Sequence, residues 1–378
     1  MKLTITKSLL STATGRVQGA VTDRSLAQIG LKAADGRLHV SATDRILAVY
    51  SSLESNVETE GVVFVPARLF SELVRELPDG DVDLTRNDAF LVVTAGEDQQ
   101  FTMKLPIIDE MSWRDPPSED AEFQDNSADL DAQKLNYAID QVQFTVAQDS
   151  PRNYGSVAYL HKSEKESFRL VGTDGFRLSY CEVEQPTADG FLANGICLSK
   201  RALSELQRMC SEGFETIKVS ISADETTLVA QVPDYQLFIR LSAVNYPQYM
   251  GVLPKNKMSG VLVSRGELQS VTKRVLLAAD KSRALQLSFS DSSLTLNSKT
   301  MGSSECRETV SLADYHGPKF DIAVNGKFLT DVFSTTTGES VTMQFNETNN
   351  EDPIVIVPRG ERAECRSRHV LVPIKQND

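Results

Sequence analysis

The segment 172–178, GTDGFRL, holds the side chains best suited to chemistry. Asp174 and Arg177 offer a carboxylate and a guanidinium three residues apart, a pair that a hydrolase with a cleft would use. The same letters also fit a tight turn between two extended runs, since Gly175 tolerates a positive φ. No second acid or base lies at a supporting spacing. A hydrolase that uses Asp174 is therefore only an alternative hypothesis.

The remaining candidates for catalysis or metal binding are scattered along the chain. They are His39, His161, His316, His369, Cys181, Cys197, Cys210, Cys306 and Cys365. No HExxH, GxSxG, Walker-type or CxxC motif occurs, so we predict no catalytic residue, no metal site and no cofactor. An odd number of distant cysteines is typical of buried thiols in a reducing cytoplasm.

Length and composition indicate a globular protein of two or three domains. The chain has 378 residues, of which 40% are hydrophobic and 24% charged. We expect no membrane segment and no signal peptide, and hence a cytoplasmic location. The formal net charge is −13, which by itself argues against a nucleic-acid partner.

Three features recur in the same order and indicate three domains of one plan. The first is a strand followed by a short amphipathic helix, at 62–77, 195–210 and 320–335. The second is a strand and a longer helix ending in an Arg-containing loop, at 3–24, 128–152 and 260–283. The third is a strand pair, at 38–53, 168–183 and 294–310. Each copy predicts an α+β domain with two helices against antiparallel strands.

The cations are concentrated on the predicted helices. The six helical segments, with their loops, hold 16 basic and 9 acidic residues, a net charge of +7 that leaves −20 for the rest of the chain. Such segregation favours a surface that follows a phosphate backbone without reading bases. A repeat-domain scaffold without a nucleic-acid role is the second alternative, but a scaffold has no reason to concentrate its cations on helices.

Three motifs make the chain similar to the bacterial sliding clamp family, the β subunit of DNA polymerase III. They are GTDGFRL at 172–178, YPQYMGVLPKN at 246–256 and HVLVPI at 369–374, and with the repeats they extend the resemblance over the whole chain. The resemblance implies three tandem clamp domains, at 1–122, 123–250 and 251–378. It also implies a non-catalytic, head-to-tail dimeric ring whose helices line a hole for duplex DNA.

The resemblance further implies a pocket between the second and third domains that takes a short apolar peptide of a partner. By residue match the pocket comprises Arg152, Tyr154, Gly155, Thr173, Gly175, Phe176, Arg177, Leu178, Pro247, Val252, Val370, Val372, Pro373 and Ile374. Arg177 is expected at the rim, where it holds a peptide carbonyl or carboxylate. The family often has other residues at Gly155, Phe176, Val372 and Ile374, so we expect a reshaped pocket.

The same residue matching suggests where DNA and a second subunit bind. It gives Arg24, Lys200, Arg201 and Arg283 as DNA-binding candidates, and position on the predicted helix adds Lys273 and Arg274. The dimer-interface candidates are Phe101 and Met103 on one side and Leu276 and Leu277 on the other. The implied partners are double-stranded DNA, a second copy of the chain, the replicative DNA polymerase, the clamp-loader ATPase and other proteins with clamp-binding motifs. The implied location is the nucleoid within the cytoplasm.

Overall fold

The computed structural model describes residues 1–21, 27–96, 100–108, 112–116, 126–163, 167–188, 190–254, 258–300, 302–312, 315–360 and 362–375. It divides into two compact units. The N-terminal unit comprises Met1–Ala132 and Glu205–Leu241, and the C-terminal unit comprises Gln133–Ser204 and Ser242–Asp378. Within the described ranges, no helix combines the length and the apolar character needed to cross a bilayer.

The described residues form six α-helices and 25 strands in a threefold sequence. The first third contains β1 (Lys2–Thr6), α1 (Lys7–Val17), β2 (Gln28–Ala34), β3 (Arg37–Thr43), β4 (Leu47–Glu54), β5 (Asn56–Thr59), β6 (Gly61–Pro66), α2 (Ala67–Glu76), β7 (Asp81–Asn87), β8 (Phe90–Ala95) and β9 (Phe101–Pro106). The second contains β10 (Ser127–Asp131), α3 (Ala132–Val142), β11 (Val157–Ser163), β12 (Ser167–Thr173), β13 (Arg177–Glu184), β14 (Ile196–Ser199), α4 (Lys200–Cys210), β15 (Thr216–Ile221), β16 (Thr227–Val232) and β17 (Tyr235–Arg240). The third contains β18 (Ser259–Ser264), α5 (Arg265–Val275), β19 (Ala284–Ser290), β20 (Ser293–Thr300), β21 (Ser304–Ser311), β22 (Phe320–Asn325), α6 (Gly326–Thr335), β23 (Ser340–Phe345), β24 (Ile354–Arg359) and β25 (Cys365–Leu371).

All six predicted helices are present, and local chemistry explains where they begin. The side chain of Thr6 accepts a hydrogen bond from the N–H of Leu9, and that of Asn325 accepts one from Lys327. Both residues act as N-caps, which satisfy backbone donors that a helix leaves free in its first turn. The helices bury residues at helical spacing, as Leu268, Val271 and Val275 do on α5.

The N-terminal unit contains a five-stranded and an eight-stranded antiparallel sheet. The first has the order β5-β1-β7-β8-β9, and the second the order β10-β15-β16-β17-β4-β3-β2-β6. In the second sheet β17 pairs with β4, with Gln236 opposite Tyr50 and Phe238 opposite Ala48. Strands of the first and second repeats therefore share one sheet.

The C-terminal unit repeats this arrangement with an eight-stranded and a four-stranded sheet. The eight-stranded sheet has the order β14-β11-β12-β13-β25-β24-β23-β18, and the four-stranded sheet the order β21-β20-β19-β22. Here β13 pairs with β25, with Leu178 opposite Val370 and Tyr180 opposite Arg368. The core of the third repeat lies between these sheets and α5 and α6, with Leu268, Leu329 and Phe345 fully buried.

The three predicted strand pairs are the antiparallel pairs β3–β4, β12–β13 and β20–β21. The predicted α+β class with three tandem domain copies is confirmed. The boundaries 1–122, 123–250 and 251–378 stay a prediction. Because each eight-stranded sheet draws four strands from each of two repeats, division by spatial contact yields two units rather than three.

Candidate functional site

The segment GTDGFRL is the connection between β12 and β13, and its own polar atoms hold its shape. Asp174 Oδ1 accepts the backbone N–H of Phe176 at 2.9 Å and that of Arg177 at 3.0 Å. Thr173 Oγ1 donates to the carbonyl of Arg177 at 2.6 Å and accepts the N–H of Gly175 at 3.1 Å. Gly175 has φ +87°, a conformation that costs glycine little. The predicted turn is confirmed.

Arg177 is committed to partners within the chain. Its Nε donates to Asp174 Oδ2 at 2.9 Å, its Nη1 to Asp331 Oδ2 at 2.7 Å and its Nη2 to the carbonyl of Phe144 at 2.8 Å. The guanidinium also lies over the ring of Phe328, 4.2 Å from its centroid. Arg177 thus connects the turn to α6 and to the end of α3, so we expect it to position the turn rather than to bond a ligand.

These contacts also bear on the hydrolase alternative. The Asp174 carboxylate receives two backbone N–H groups and one guanidinium, all from its own turn. Among the described residues no group of three His, Cys, Asp or Glu side chains is arranged to hold a metal ion. Asp174 therefore serves as a turn-forming residue.

Leu178 and Val370 face each other on β13 and β25 and form the floor of a candidate groove. Both are buried in a cluster with Val171, Tyr249 and Val355. Because side chains alternate along a strand, Tyr180 and Arg368 continue the same face two residues further on. The aliphatic floor of the groove therefore ends where these polar side chains begin on the same strands.

The rim of the candidate groove presents three exposed apolar side chains. Phe176 is 60% exposed, Val252 49% and Val372 39%. The N–H of Val372 donates to the carbonyl of Phe176 at 3.0 Å, and that of Ile374 donates to the carbonyl of Ala323 at 2.8 Å. These bonds hold the segment 372–374, which includes Pro373, beside the turn. Exposed apolar side chains around a buried aliphatic floor are typical of a peptide-binding surface.

The other predicted pocket residues lie along the same turn and its neighbours. The Arg152 guanidinium lies 5.3 Å from the ring centroid of Phe176, and it covers Gly175 so closely that a Cβ there would collide with it. Gly155 is buried, and a Cβ on it would lie 2.4 Å from Ser150 Oγ. Tyr154 is half-buried, and Pro247 is exposed. The small residue at Gly155 thus fits the space that Ser150 leaves.

Residues 242–254, which we term the strap, overlap the motif at 246–256, from which the sequence predicted the pocket residues Pro247 and Val252. The strap packs on the sheet face that carries Leu178 and Val370, a contact that the sequence did not reveal. Tyr246 stacks on Tyr159 with ring centroids 5.1 Å apart, and the Tyr249 hydroxyl bonds His161 Nε2 at 2.9 Å and Arg169 Nη1 at 3.0 Å. Burial raises the pKa of the Tyr249 hydroxyl, although the Arg169 bond opposes the rise. The spacing of aromatic residues in YPQY was the available signal.

Several cations on the helices hold the fold together and are not free. Arg16, on α1, is buried; its Nε donates to Glu212 Oε2 at 2.8 Å and its Nη1 to Ser51 Oγ at 3.1 Å. Arg265, on α5, donates to the carbonyls of Gly338 and Phe333 near the end of α6. The sequence count of +7 on the helical segments therefore overstates the charge that a ligand would meet.

The predicted DNA-binding residues differ in what they contact. Arg24 lies outside the described residues. Lys200 and Arg201 begin α4 and are half-buried. Lys273 and Arg274 are exposed in the last turn of α5, where Arg274 Nε donates to Glu308 at 2.9 Å. Arg283 is exposed with φ +55°, and its carbonyl accepts the N–H of Gly326. Their role in DNA binding stays a prediction.

The predicted interface residues lie at two sheet edges. Phe101 and Met103 are half-buried on β9, the edge strand of the five-stranded sheet. Leu277 is 86% exposed on the turn after α5, close to the edge strand β21, whereas Leu276 packs into the core against Gly326. Of the two leucines, Leu277 has its side chain in solvent and Leu276 does not; the role of all four residues in an interface stays a prediction.

Comparison with known proteins matches the whole arrangement. Three family models match in order: the N-terminal domain of the DNA polymerase III beta subunit at residues 1–111, the central domain at 129–248 and the C-terminal domain at 250–374. The chain is 27% identical to the beta sliding clamp of Caulobacter vibrioides, over 99% of this chain and 100% of that one. It is 25% identical to the beta sliding clamp of Escherichia coli K12, with the same coverage. A crystal structure of the Caulobacter crescentus beta sliding clamp superposes over 100% of this chain and 99% of that one, with a TM-score of 0.87 at 25% identity.

Proposed function

The chain belongs to the DNA polymerase III beta subunit family, and from that premise we infer that it is a DNA polymerase processivity factor, a sliding clamp. It acts without catalysis of its own, as a subunit that keeps a polymerase on its template. The scaffold and hydrolase alternatives are not supported.

The way in which successive repeats are joined supports a homodimeric ring. Strand β17, the last of the second repeat, pairs with β4 of the first, and β25, the last of the third repeat, pairs with β13 of the second. Strands β4 and β13 occupy equivalent positions, because each is the fourth strand of its repeat. By the same rule we expect β9, the last strand of the first repeat, to pair with the fourth strand of a third repeat. That strand is β21. Both β9 and β21 are sheet edges. A β9–β21 pair between two chains, made twice, closes a ring and protects exposed edges.

That ring would encircle duplex DNA without reading its sequence. A cationic lining attracts phosphate through a screened interaction that is weak enough to permit sliding. Lys200, Arg201, Lys273 and Arg283 are the described cations that we assign to this lining, together with Arg24 from the sequence. The chain's net charge of −13 leaves the rest of the surface acidic, which disfavours DNA contact elsewhere.

The groove around Leu178 and Val370 would tether the replicative polymerase, the clamp-loader ATPase and other clamp-binding proteins one at a time. An apolar peptide side chain would enter between Phe176, Val252 and Val372 and remove their exposed apolar surface from water. The protein would carry out this work in the cytoplasm, at the nucleoid.

The observation that carries the ring is the pair of unfilled, matching sheet edges, and Leu277→Asp tests it. We expect the purified variant to sediment as a monomer, because a carboxylate would be desolvated at the interface. Leu262→Asp makes the same change at an exposed leucine on β18 and should stay dimeric. A dimeric Leu277→Asp, or a wild-type protein that is monomeric at micromolar concentration, would contradict this interface.

A further inference from the structure

A cavity of about 850 Å³ lies in the C-terminal unit, on the strap face of its eight-stranded sheet. Six of its lining residues are cations: Lys162, Arg169, Arg359, Arg362, Arg366 and Arg368. Among the described residues that line it, Glu182 supplies the one carboxylate. Such a concentration of positive charge stands out in a chain of net charge −13.

Strand register explains why the cations converge. Arg368 lies opposite Tyr180, and Arg366 lies opposite Glu182, at alternate positions of β25 and β13. Arg169, on β12, lies opposite Glu182 from the other side. The side chains of these positions project from one face of the sheet. Arg359, the last residue of β24, and Arg362, in the turn that follows, also line the cavity.

The cations exceed the carboxylates that neutralise them. Arg169 forms an ion pair with Glu182 at the base, and Arg366 forms one with Glu184 at the edge. Arg359 instead donates to the hydroxyl of Thr342 at 2.7 Å, and Arg362 to the side-chain oxygen of Gln133 at 2.8 Å. Both acceptors are uncharged. Neighbouring guanidiniums without counter-charges repel one another, so an anionic ligand would bind with an electrostatic gain.

The other lining groups suggest what kind of anion fits. Met250 is 52% exposed, and Val357, Pro358 and Ala363 line the cavity beside it. The two aromatic rings in the wall are already covered: Arg169 lies 4.8 Å over Tyr180, and His161 stacks on Tyr159. Single-stranded nucleic acid needs open ring faces for its bases, whereas guanidinium forks match carboxylates in pairs. The lining therefore favours a peptide with carboxylates and an aliphatic side chain.

We propose that this cavity is a second docking site, which takes an acidic peptide segment of a protein partner. The segment places its carboxylates against Arg359, Arg362 and Arg368 and an aliphatic side chain against Met250. The site is distinct from the groove formed by Leu178 and Val370, although the same two strands carry both. Arg368 precedes Val370 by two residues, a displacement of about 7 Å along β25.

The test uses two fluorescein-labelled pentapeptides, with four glutamates around a central leucine or a central serine, and labelled hexathymidylate. Fluorescence anisotropy is measured with the full-length protein at about 0.1 M salt, where the Debye length is ~10 Å. The cavity variant is Arg359→Glu with Arg368→Glu. The control is Arg240→Glu with Lys319→Glu, two exposed cations outside the cavity that give the same change in net charge.

We expect the leucine peptide to bind the wild type more tightly than the serine peptide. The cavity variant should weaken binding by at least about tenfold, and the control variant should bind as the wild type does. Equal loss in both variants would mean that only the protein's general charge attracts the peptide, and would overturn the proposal. Tighter cavity-dependent binding of hexathymidylate would overturn it in favour of nucleic acid, and absence of peptide binding would overturn it outright. A peptide from the replicative polymerase that still binds the cavity variant would show that the groove is intact, so the two sites are tested separately.

Discussion

The junctions β4–β17 and β13–β25 share an antiparallel pairing and a hydrogen-bonded turn but differ in the side chains that they present. At both, an aspartate closes the turn: Asp44 Oδ1 accepts the N–H groups of Ile46 and Leu47, as Asp174 Oδ1 does those of Phe176 and Arg177. At both, the end of the paired strand donates to the turn: the N–H of Arg240 donates to the carbonyl of Ile46, and the N–H of Val372, directly after β25, donates to the carbonyl of Phe176.

Three register-matched positions account for the difference. Leu47, in the core, corresponds to Arg177; Phe238 corresponds to Val370; and Arg240 corresponds to Val372. Phe238 packs edge-on against Tyr50 with ring centroids 5.7 Å apart. A groove therefore requires an aliphatic floor and an apolar rim, and the shared turn alone does not produce one. The threonine and aspartate of the turn determine the backbone, and the residues after them determine what binds.

The largest expected effect comes from giving the second junction the core residue of the first. Arg177→Leu leaves Asp174 and Asp331, both mostly buried, without their shared guanidinium. We expect a loss of about 3 kcal/mol in the free energy of unfolding, measured by urea denaturation, because two mostly buried carboxylates lose the cation between them, although Lys327 still pairs with Asp331. Arg177→Leu combined with Asp331→Leu should recover part of that loss. Unchanged stability of the single variant would show that the two junctions do not differ in this way.

A second exchange concerns the rim of the groove. Val372→Arg introduces the residue that the first junction has at this position, Arg240. We expect about 100-fold weaker binding of a labelled peptide from the replicative polymerase, because the rim loses an apolar contact and a cation is desolvated. Fluorescence anisotropy measures the affinity. The reciprocal variant Arg240→Val should bind like the wild type. An effect of Arg240→Val as large as that of Val372→Arg would show that the first junction binds the peptide too.

A third difference between the junctions lies on the sheet face opposite the groove, where His369 is at the position that Leu237 has in the first junction. Complete burial lowers the pKa of His369 to about 3, so the imidazole is neutral in the folded protein. The unfolded chain binds a proton below pH ~6.5, so stability that is present at pH 7 is lost as the pH falls toward 3. We expect the neutral imidazole of His369 to lower the free energy of unfolding by about 2 kcal/mol as the pH falls from 7 to 5.

His369→Leu should remove that part of the pH dependence, measured as urea midpoints at pH 7 and pH 5. His316→Leu alters an exposed histidine and should keep the wild-type pH dependence. If His369→Leu loses stability between pH 7 and pH 5 as the wild type does, the imidazole is not held neutral.

The smallest expected effect concerns the exposed residue of each turn. Phe176→Ile introduces the residue found at Ile46 and removes the ring under the Arg152 guanidinium. We expect polymerase-peptide affinity to fall about two- to fivefold in anisotropy titrations, the range of an exposed cation–π contact. Ile46→Phe is the matched control and should leave affinity unchanged. Tighter binding by Phe176→Ile would mean that the ring obstructs the groove.

The sequence predicted what depends on local periodicity and on repetition. The six helices, the three strand pairs and the turn at Asp174 follow from spacing and from turn chemistry, which neighbouring residues decide. The bond from Arg177 to Asp331 joins residues 154 positions apart, and no local pattern encodes it. The packing of Tyr246 and Tyr249 on the sheet also depends on tertiary contacts. Four arginines, at 359, 362, 366 and 368, lie within ten residues of the sequence. Strand register is needed to show which of them share a face of the sheet.

The central claim is that this protein surrounds DNA, and retention on circular DNA tests it most directly. The protein is loaded onto nicked circular DNA with its clamp-loader ATPase and isolated on the DNA by gel filtration. The DNA is then cut once or left closed. The account predicts that the protein remains on the closed circle and leaves the linear form by sliding off its ends. Equal retention on both forms, or no retention on either, would contradict a topological link and with it the function proposed for this fold.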